Sequence, residues 1–175
     1  MNVADAIRLK RAVREFSSQP ISKNDVLKIL NAGRRAQSAK NRQLWEFIAI
    51  QDKDTLSELA KYATNAPHLG WATLGIAILT PHPSQRWSVM FDAGQTAAYM
   101  QLAAWEIGIG SCMATIYEPE KARDLLGFPS DLHIRAAISF GYPKDPSVIT
   151  AAPHKGGRKS LDETIHFDRW NPKND

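Results

Sequence analysis

Polar and apolar positions follow two different periods along this chain, and the switches between them mark out its elements. Residues 2–11 place Val3, Ile7 and Ala6 on one side of a helical wheel, which predicts a first helix. Pro20 interrupts it. Ser22-Lys23-Asn24-Asp25 then offers a capping side chain with an acid three residues on, opening a helix to residue 34 or 35. Val26, Ile29, Leu30 and Gly33 share its inner face. Residues 37–44 show neither period and read as a polar loop. In residues 45–50, Trp45, Phe47 and Ala49 face one way and Ile48 and Ile50 the other. Apolar residues on both faces predict a strand in a sheet covered on both sides.

Further along, Asp52 or Asp54 caps a helix to about residue 63. A second strand, 72–80, stops at Pro81 and Pro83. Residues 87–107 form a long helix carrying Ala93, Gly94, Ala97, Ala98, Ala103 and Ala104 among larger apolar residues. So many small side chains let neighbours approach closely, which predicts a central buried helix ended by Gly108-Ile109-Gly110. A helix at 118–126 ends at Gly127, and residues 134–140 form a third strand. Gly141-Tyr142-Pro143 begins a polar loop over 144–160, and residues 161–170 close the pattern as a short extended or helical segment. Helices outnumber strands and no tight hairpin joins them, so the expected architecture is an α+β or α/β sandwich around a small mixed sheet. The 144–160 loop is long for a compact domain, and such loops cover a functional site or reach another subunit.

Composition narrows the class. A chain of 175 residues with 43% hydrophobic and 23% charged residues is one ordinary globular domain, neither disordered nor membrane-embedded. Its longest apolar run, residues 72–79, is of strand length and far short of the roughly 20 residues of a membrane span. The net charge of +4 suits an anionic ligand, and equally suits solubility alone. With a single cysteine, Cys112, no intramolecular disulfide forms, which fits a reducing compartment. Residues 1–11 mix Asp5, Arg8 and Lys10 with apolar residues and do not read as a secretory signal. The expected location is the cytoplasm.

Three polar stretches are candidates for chemistry. Lys10-Arg11-Ala12-Val13-Arg14 puts three cations in five residues; they suit a phosphate or, at a helix C-terminus, simply the dipole. Ser38-Ala39-Lys40-Asn41-Arg42-Gln43 carries amide side chains suited to a polyol or ring edge. His154-Lys155-Gly156-Gly157-Arg158-Lys159 is basic and glycine-flanked, an anion site or a solvated loop. Gly108-Ile109-Gly110 fails the dinucleotide fingerprint, because residue 113 is Met and a helix precedes it. The five histidines lack ligand spacing, so no metal site is expected, and Cys112 reads as a small buried residue.

In order along the chain, these pieces resemble the nitroreductase family of flavoproteins. The specific ones are Lys10-Arg11-Ala12-Val13-Arg14-Glu15-Phe16, Ser38 through Phe47, and Arg158-Lys159-Ser160-Leu161-Asp162-Glu163 with His166-Phe167-Asp168-Arg169-Trp170. Asp92-Ala93-Gly94, Leu102-Ala103-Ala104, Gly108-Ile109-Gly110 and Gly141-Tyr142-Pro143 add generic support. The resemblance implies an α+β three-layer sandwich in an intertwined homodimer, one domain over 1–175 whose loop and tail, 144–175, reach along the partner. It implies FMN as cofactor and NADH or NADPH as co-substrate. Hydride would pass via the flavin to a nitroaromatic, quinone or similar small-molecule acceptor in a ping-pong cycle.

By that resemblance, Lys10, Arg11, Ala12 and Arg14 with Arg158 surround the FMN phosphate. Ser38, Ala39, Asn41 and Gln43 reach the flavin of the partner subunit, and Ala114, Thr115 and Ile116 lie beside the ring with backbone N–H groups toward it. No side chain is implied as catalytic. Ala12 stands where the family often has Ser, and Gln37 and Leu44 where Pro is usual, which bears on FMN affinity. Two other readings stay open: a same-fold flavoenzyme of a specialised, flavin-destroying or dehalogenating pathway, and a basic nucleic-acid-binding module that no binding motif supports.

Overall fold

Four of the six α-helices among the described residues begin where a short polar side chain takes up a free backbone N–H. In the computed structural model, which describes residues 2–152 and 157–170, Asn2 Oδ1 accepts the Asp5 N–H at 2.9 Å to open α1 (Val3–Leu9). Ser22 Oγ accepts the Asp25 N–H at 3.1 Å ahead of α2 (Lys23–Arg34). Asp52 Oδ1 accepts the Thr55 N–H at 2.8 Å ahead of α3 (Lys53–Lys61), which settles the cap on Asp52 rather than Asp54. The long central helix α4 runs Val89–Glu106, and α5 (Pro119–Leu126) stops at Gly127, whose φ of 69° is the left-handed conformation that ends helices. A final turn, α6 (Leu161–Thr164), carries a full capping box between Ser160 and Glu163.

Four strands form one sheet: β1 (Glu46–Ile50), β2 (Leu74–Pro81), β3 (Gly110–Thr115) and β4 (Leu132–Gly141), in the order β1-β2-β4-β3. Two expectations change here. The sheet has a fourth strand, β3, where the pattern showed only a helix end. It is also antiparallel in every ladder rather than mixed. Long helical connections can return the chain to either end of a sheet, so their length did not fix strand direction. The register does: Glu46 lies opposite Leu79 and Ile50 opposite Gly75.

The sheet is covered on both faces, as the two-sided apolar pattern of β1 predicts. On one side α2 and α4 enclose Val26, Ile29, Leu74, Ile76, Ile78, Met100 and Phe140; on the other, α3 and α5 enclose Leu56, Leu59, Ala77, Leu79, Ile116 and Ile134. Residues 74–79 alternate between these two cores, the period of two expected of a strand. At Gly33 a Cβ would lie 2.3 Å from Met100 Cε, so this glycine sets how closely α2 approaches α4.

After α1 the chain runs along the outer edge of the sheet. Val13 N–H donates to Ser111 O at 3.0 Å beside a parallel bridge of Ala12 with Ser111, and Ser17 N–H donates to Tyr142 O at 2.8 Å. Lys144 N–H returns the contact to Glu15 O at 3.0 Å. A Cβ on Gly110 would sit 2.7–2.8 Å from three side-chain atoms of Val13. That absent methyl is what lets residues 10–17 lie against β3.

Candidate functional site

The edge segment delivers three cations to one end of β3. Lys10 Nζ donates to Gln101 Oε1 on α4, and burial pushes its ammonium below the ordinary lysine value; nearby Cys112 opposes that shift and Arg158 adds to it. The charge of Arg158 thus reaches Lys10 across 148 residues of sequence. Arg11 donates to the carbonyl of Ala151, a second tie between the two ends of the chain. Arg14 acts electrostatically on both Cys112 and His68, which puts it in the same neighbourhood.

None of these cations is held in an ion pair among the described residues. The ion pairs of the described residues are Arg8–Asp5, Lys28–Asp25, Lys61–Glu58, Lys121–Glu118 and Arg123–Glu120, all within helical turns. None includes Lys10, Arg11, Arg14 or Arg158. Glu15 and Asp145 line the cleft beside Arg14 but pair with none of these cations, so like charges still repel there and a bound anion would turn that cost into binding energy. Of the basic run near residue 158, His154, Lys155 and Gly156 lie outside the described residues.

Beneath the cations is a buried polar chain that sequence reasoning missed. Ser139 Oγ donates to Cys112 O at 3.2 Å, so its lone pair accepts from His68 Nδ1 at 2.8 Å. His68 therefore carries its proton on Nδ1. Burial, and then the charge of Arg14, hold it below the usual histidine pKa, so the imidazole is neutral at pH 7. Burial likewise raises the Cys112 thiol, against the pull of Arg14 and Lys10, and the residue is a neutral packing group as expected.

The amide loop sits elsewhere on the same chain. Lys40, Asn41 and Gln43 all adopt positive φ, between 51° and 56°, which turns the loop sharply. Gln43 N–H donates to Ser38 Oγ at 2.9 Å and closes it. Ala39 N–H is held by both carboxylate oxygens of buried Asp92, at 3.2 and 3.3 Å. Asn41 and Gln43 are exposed at the tip. Since Asp92 and Gln101 lie nine residues apart on α4, this loop and the Lys10 cluster are separated by about 13 Å along the helix axis. One chain does not bring them to the same point.

Ala114 and Thr115 end strand β3, and Ile116 follows it. Backbone groups in a strand alternate sides, and Ser111 O faces outward to Val13 while Ile116 N–H faces inward to Arg135 O at 2.8 Å. The amides of Ala114 and Ile116 are therefore spent inside the sheet, and only that of Thr115 points to the open edge. This corrects the expectation that the N–H groups of the whole stretch face a ligand. It leaves cations at the start of the edge and an outward amide about 13 Å further along, four strand residues on. Such a strip fits a ligand with an anionic group at one end and a flat polar ring at the other.

Comparison with known proteins now decides the family. The nitroreductase family profile matches residues 7–81 and 65–142. The chain belongs to the nitroreductase family. A protein of Archaeoglobus fulgidus, provisionally named NADH dehydrogenase/NAD(P)H nitroreductase, is 31% identical over 94% of this chain and 96% of its own. The NADPH-flavin oxidoreductase of Vibrio harveyi is 24% identical, covering 87% of this chain and 70% of its own. Among solved structures, an FMN-dependent nitroreductase from Clostridium difficile superposes with a TM-score of 0.84 at 27% identity, over 96% of this chain and all of the other. The nitroreductase sandwich expected from the motifs is the fold observed.

Proposed function

We infer that this nitroreductase is an NAD(P)H-dependent FMN oxidoreductase, and the observation that carries the reading is that Lys10 feels the charge of Arg158, and Cys112 those of Lys10 and Arg14, with none of the three cations in an ion pair. Bound FMN supplies the redox-active ring. The chain's own residues do the rest. Lys10, Arg11, Arg14 and Arg158 hold the phosphate through charged hydrogen bonds, with Ala12 contributing backbone in place of a hydroxyl. Thr115 N–H meets the ring edge, and a donor there favours developing negative charge on the ring. Ala114 and Ile116 keep that strand seated in the sheet.

The site is completed by a second copy of the chain. The cleft beside Arg14, lined by Ala12, Glu15, Asp145 and Val148 among others, measures 280 Å³, and ligand pockets usually span roughly 300–1,000 Å³. The cleft is open on one side, where a second copy could supply a wall. The faces that would supply it are exposed and apolar: Trp87 and Phe91 in edge-to-face contact at the start of α4, Met90 and Tyr99 beside them, and Leu161, Ile165, Phe167 and Trp170 on the tail. Monomeric proteins rarely leave so much apolar surface open. In this homodimer Ser38, Ala39, Asn41 and Gln43 face the flavin of the partner, and residues 144–152 and 157–170 lie along it as part of a single domain; the rest of the expected 144–175 tail lies outside the described residues.

The finer reading is a ping-pong exchange in which NAD(P)H and a nitroaromatic, quinone or similar acceptor use the same cleft in turn. No helix among the described residues is long and apolar enough to cross a membrane, and the lone cysteine suits the cytoplasm. Steady-state oxidation of NADH and NADPH by FMN-loaded protein, with a nitroaromatic or a quinone, should give parallel lines in double-reciprocal plots. An FMN-loaded protein that consumes neither nucleotide with any of these acceptors sinks the reading in favour of a specialised flavoenzyme on the same scaffold.

A further inference from the structure

Helix α4 is apolar along most of its buried side; Asp92, Thr96 and Gln101 are the polar exceptions, and the first and last of them reach other segments. Asp92 and Gln101 are 6% and 7% exposed, so each must find partners within the fold. Nine residues separate them, two and a half turns, which places them on opposite flanks of the helix. Asp92 holds the backbone of the amide loop through Ala39 N–H. Gln101 Oε1 accepts from Lys10 Nζ and, at 3.4 Å, from Ser111 Oγ at the start of β3. One rigid rod therefore grips both candidate flavin-binding segments, each by a single buried side chain.

We propose that Asp92 and Gln101 are positioning residues with divided duties: Gln101 aims Lys10 at the phosphate of the flavin bound by its own subunit, and Asp92 sets the loop that presents Asn41 and Gln43 to the flavin of the partner. Neither touches the cofactor. The proposal rests on the FMN reading above.

Physical chemistry favours this over plain core filling. A lysine ammonium has three rotatable donors on a flexible stem, so without a fixed acceptor its position is undefined. Gln101 supplies that acceptor and, being neutral, leaves the full charge of Lys10 for an anion; a carboxylate there would cancel it. The loop needs the opposite. Its backbone is held at three positive φ values, each costing about 1 kcal/mol or more for a non-glycine residue. A carboxylate gripping one N–H with both oxygens is a strong single anchor for such a conformation.

Because the duties differ, so do the expected losses. FMN and riboflavin share the ring and polyol and differ only in the phosphate. Gln101→Met keeps shape but removes the acceptor; it should weaken FMN about tenfold and leave riboflavin within about twofold. Asp92→Leu should weaken both flavins alike, about tenfold, and Asp92→Asn, which retains an oxygen for Ala39 N–H, should restore both to within about threefold. The ratio of the two affinities is independent of how much of a variant is folded, so the Gln101 result stands whatever the stability. For Asp92→Leu, amide hydrogen exchange should quicken in residues 38–43 and stay slow in β2 and β4. A Gln101→Met protein that loses both flavins equally, or an Asp92→Leu protein whose exchange quickens across the sheet, overturns the proposal. Wild-type protein that binds no FMN removes the functional reading along with it.

Discussion

Replacing Arg14 and Arg158 together with alanine should cost this protein its flavin while leaving it folded. Both side chains are exposed and neither is in an ion pair, so their removal costs little in the unliganded chain. Each charged hydrogen bond to a phosphate contributes about 1–3 kcal/mol, roughly a ten- to hundredfold change in Kd. In the proposed site the two arginines share one phosphate, so the double variant should fall short of the summed losses. Fluorescence titration with FMN reads the effect directly. Raising the salt should weaken the wild type and narrow the gap to the variants. Unchanged FMN affinity in both single variants would remove these residues from the phosphate site.

Phe140→Ala should be among the most damaging substitutions for stability. The ring is fully buried in the core between the sheet and α4, and it lies on β4 next to Gly141. Truncating a buried phenylalanine to alanine costs about 3–5 kcal/mol, a large share of the roughly 5–15 kcal/mol that holds a domain together. For a chain of this size the loss corresponds to a fall in Tm of roughly 6–20 °C. Calorimetry at one fixed protein concentration checks it, since the proposed dimerisation would make Tm concentration-dependent. A shift below about 2 °C would mean that the core closes over the space and is less well packed than the structure shows.

Helices announced themselves in the sequence because their caps are chemical. Ser22, Asp52 and Gly127 each appear where the backbone needs a side-chain acceptor or a left-handed residue, and each is found in that role. Strands β1, β2 and β4 were legible from their runs of large apolar residues. Strand β3 was not, because its alternation is written in small side chains: Cys112 and Ala114 turn inward while Met113 and Thr115 are exposed. Strand direction was unreadable for a different reason, since direction depends on how connections fold back rather than on any local pattern.

The candidate site divides the same way. That Lys10 and Arg158 lie near each other was implied by the family resemblance and by nothing in the local pattern, because contacts between distant segments leave no periodic signature. Asp92 appeared only as part of a generic Asp-Ala-Gly piece, and Gln101 was hidden inside an apolar helix. A buried polar residue on such a helix is a signal in its own right. His68 and Ser139 gave none, since a lone histidine before a strand and a serine within one are unremarkable until the fold joins them.

One titration puts the whole account at risk. Purified wild-type protein, stripped of ligand and titrated with FMN and separately with riboflavin, should bind one FMN per chain and prefer it to riboflavin by about a hundredfold or more, since in the proposed site several cations grip the phosphate that riboflavin lacks. Equal affinity for the two flavins, or a colourless protein that takes up neither, would contradict it.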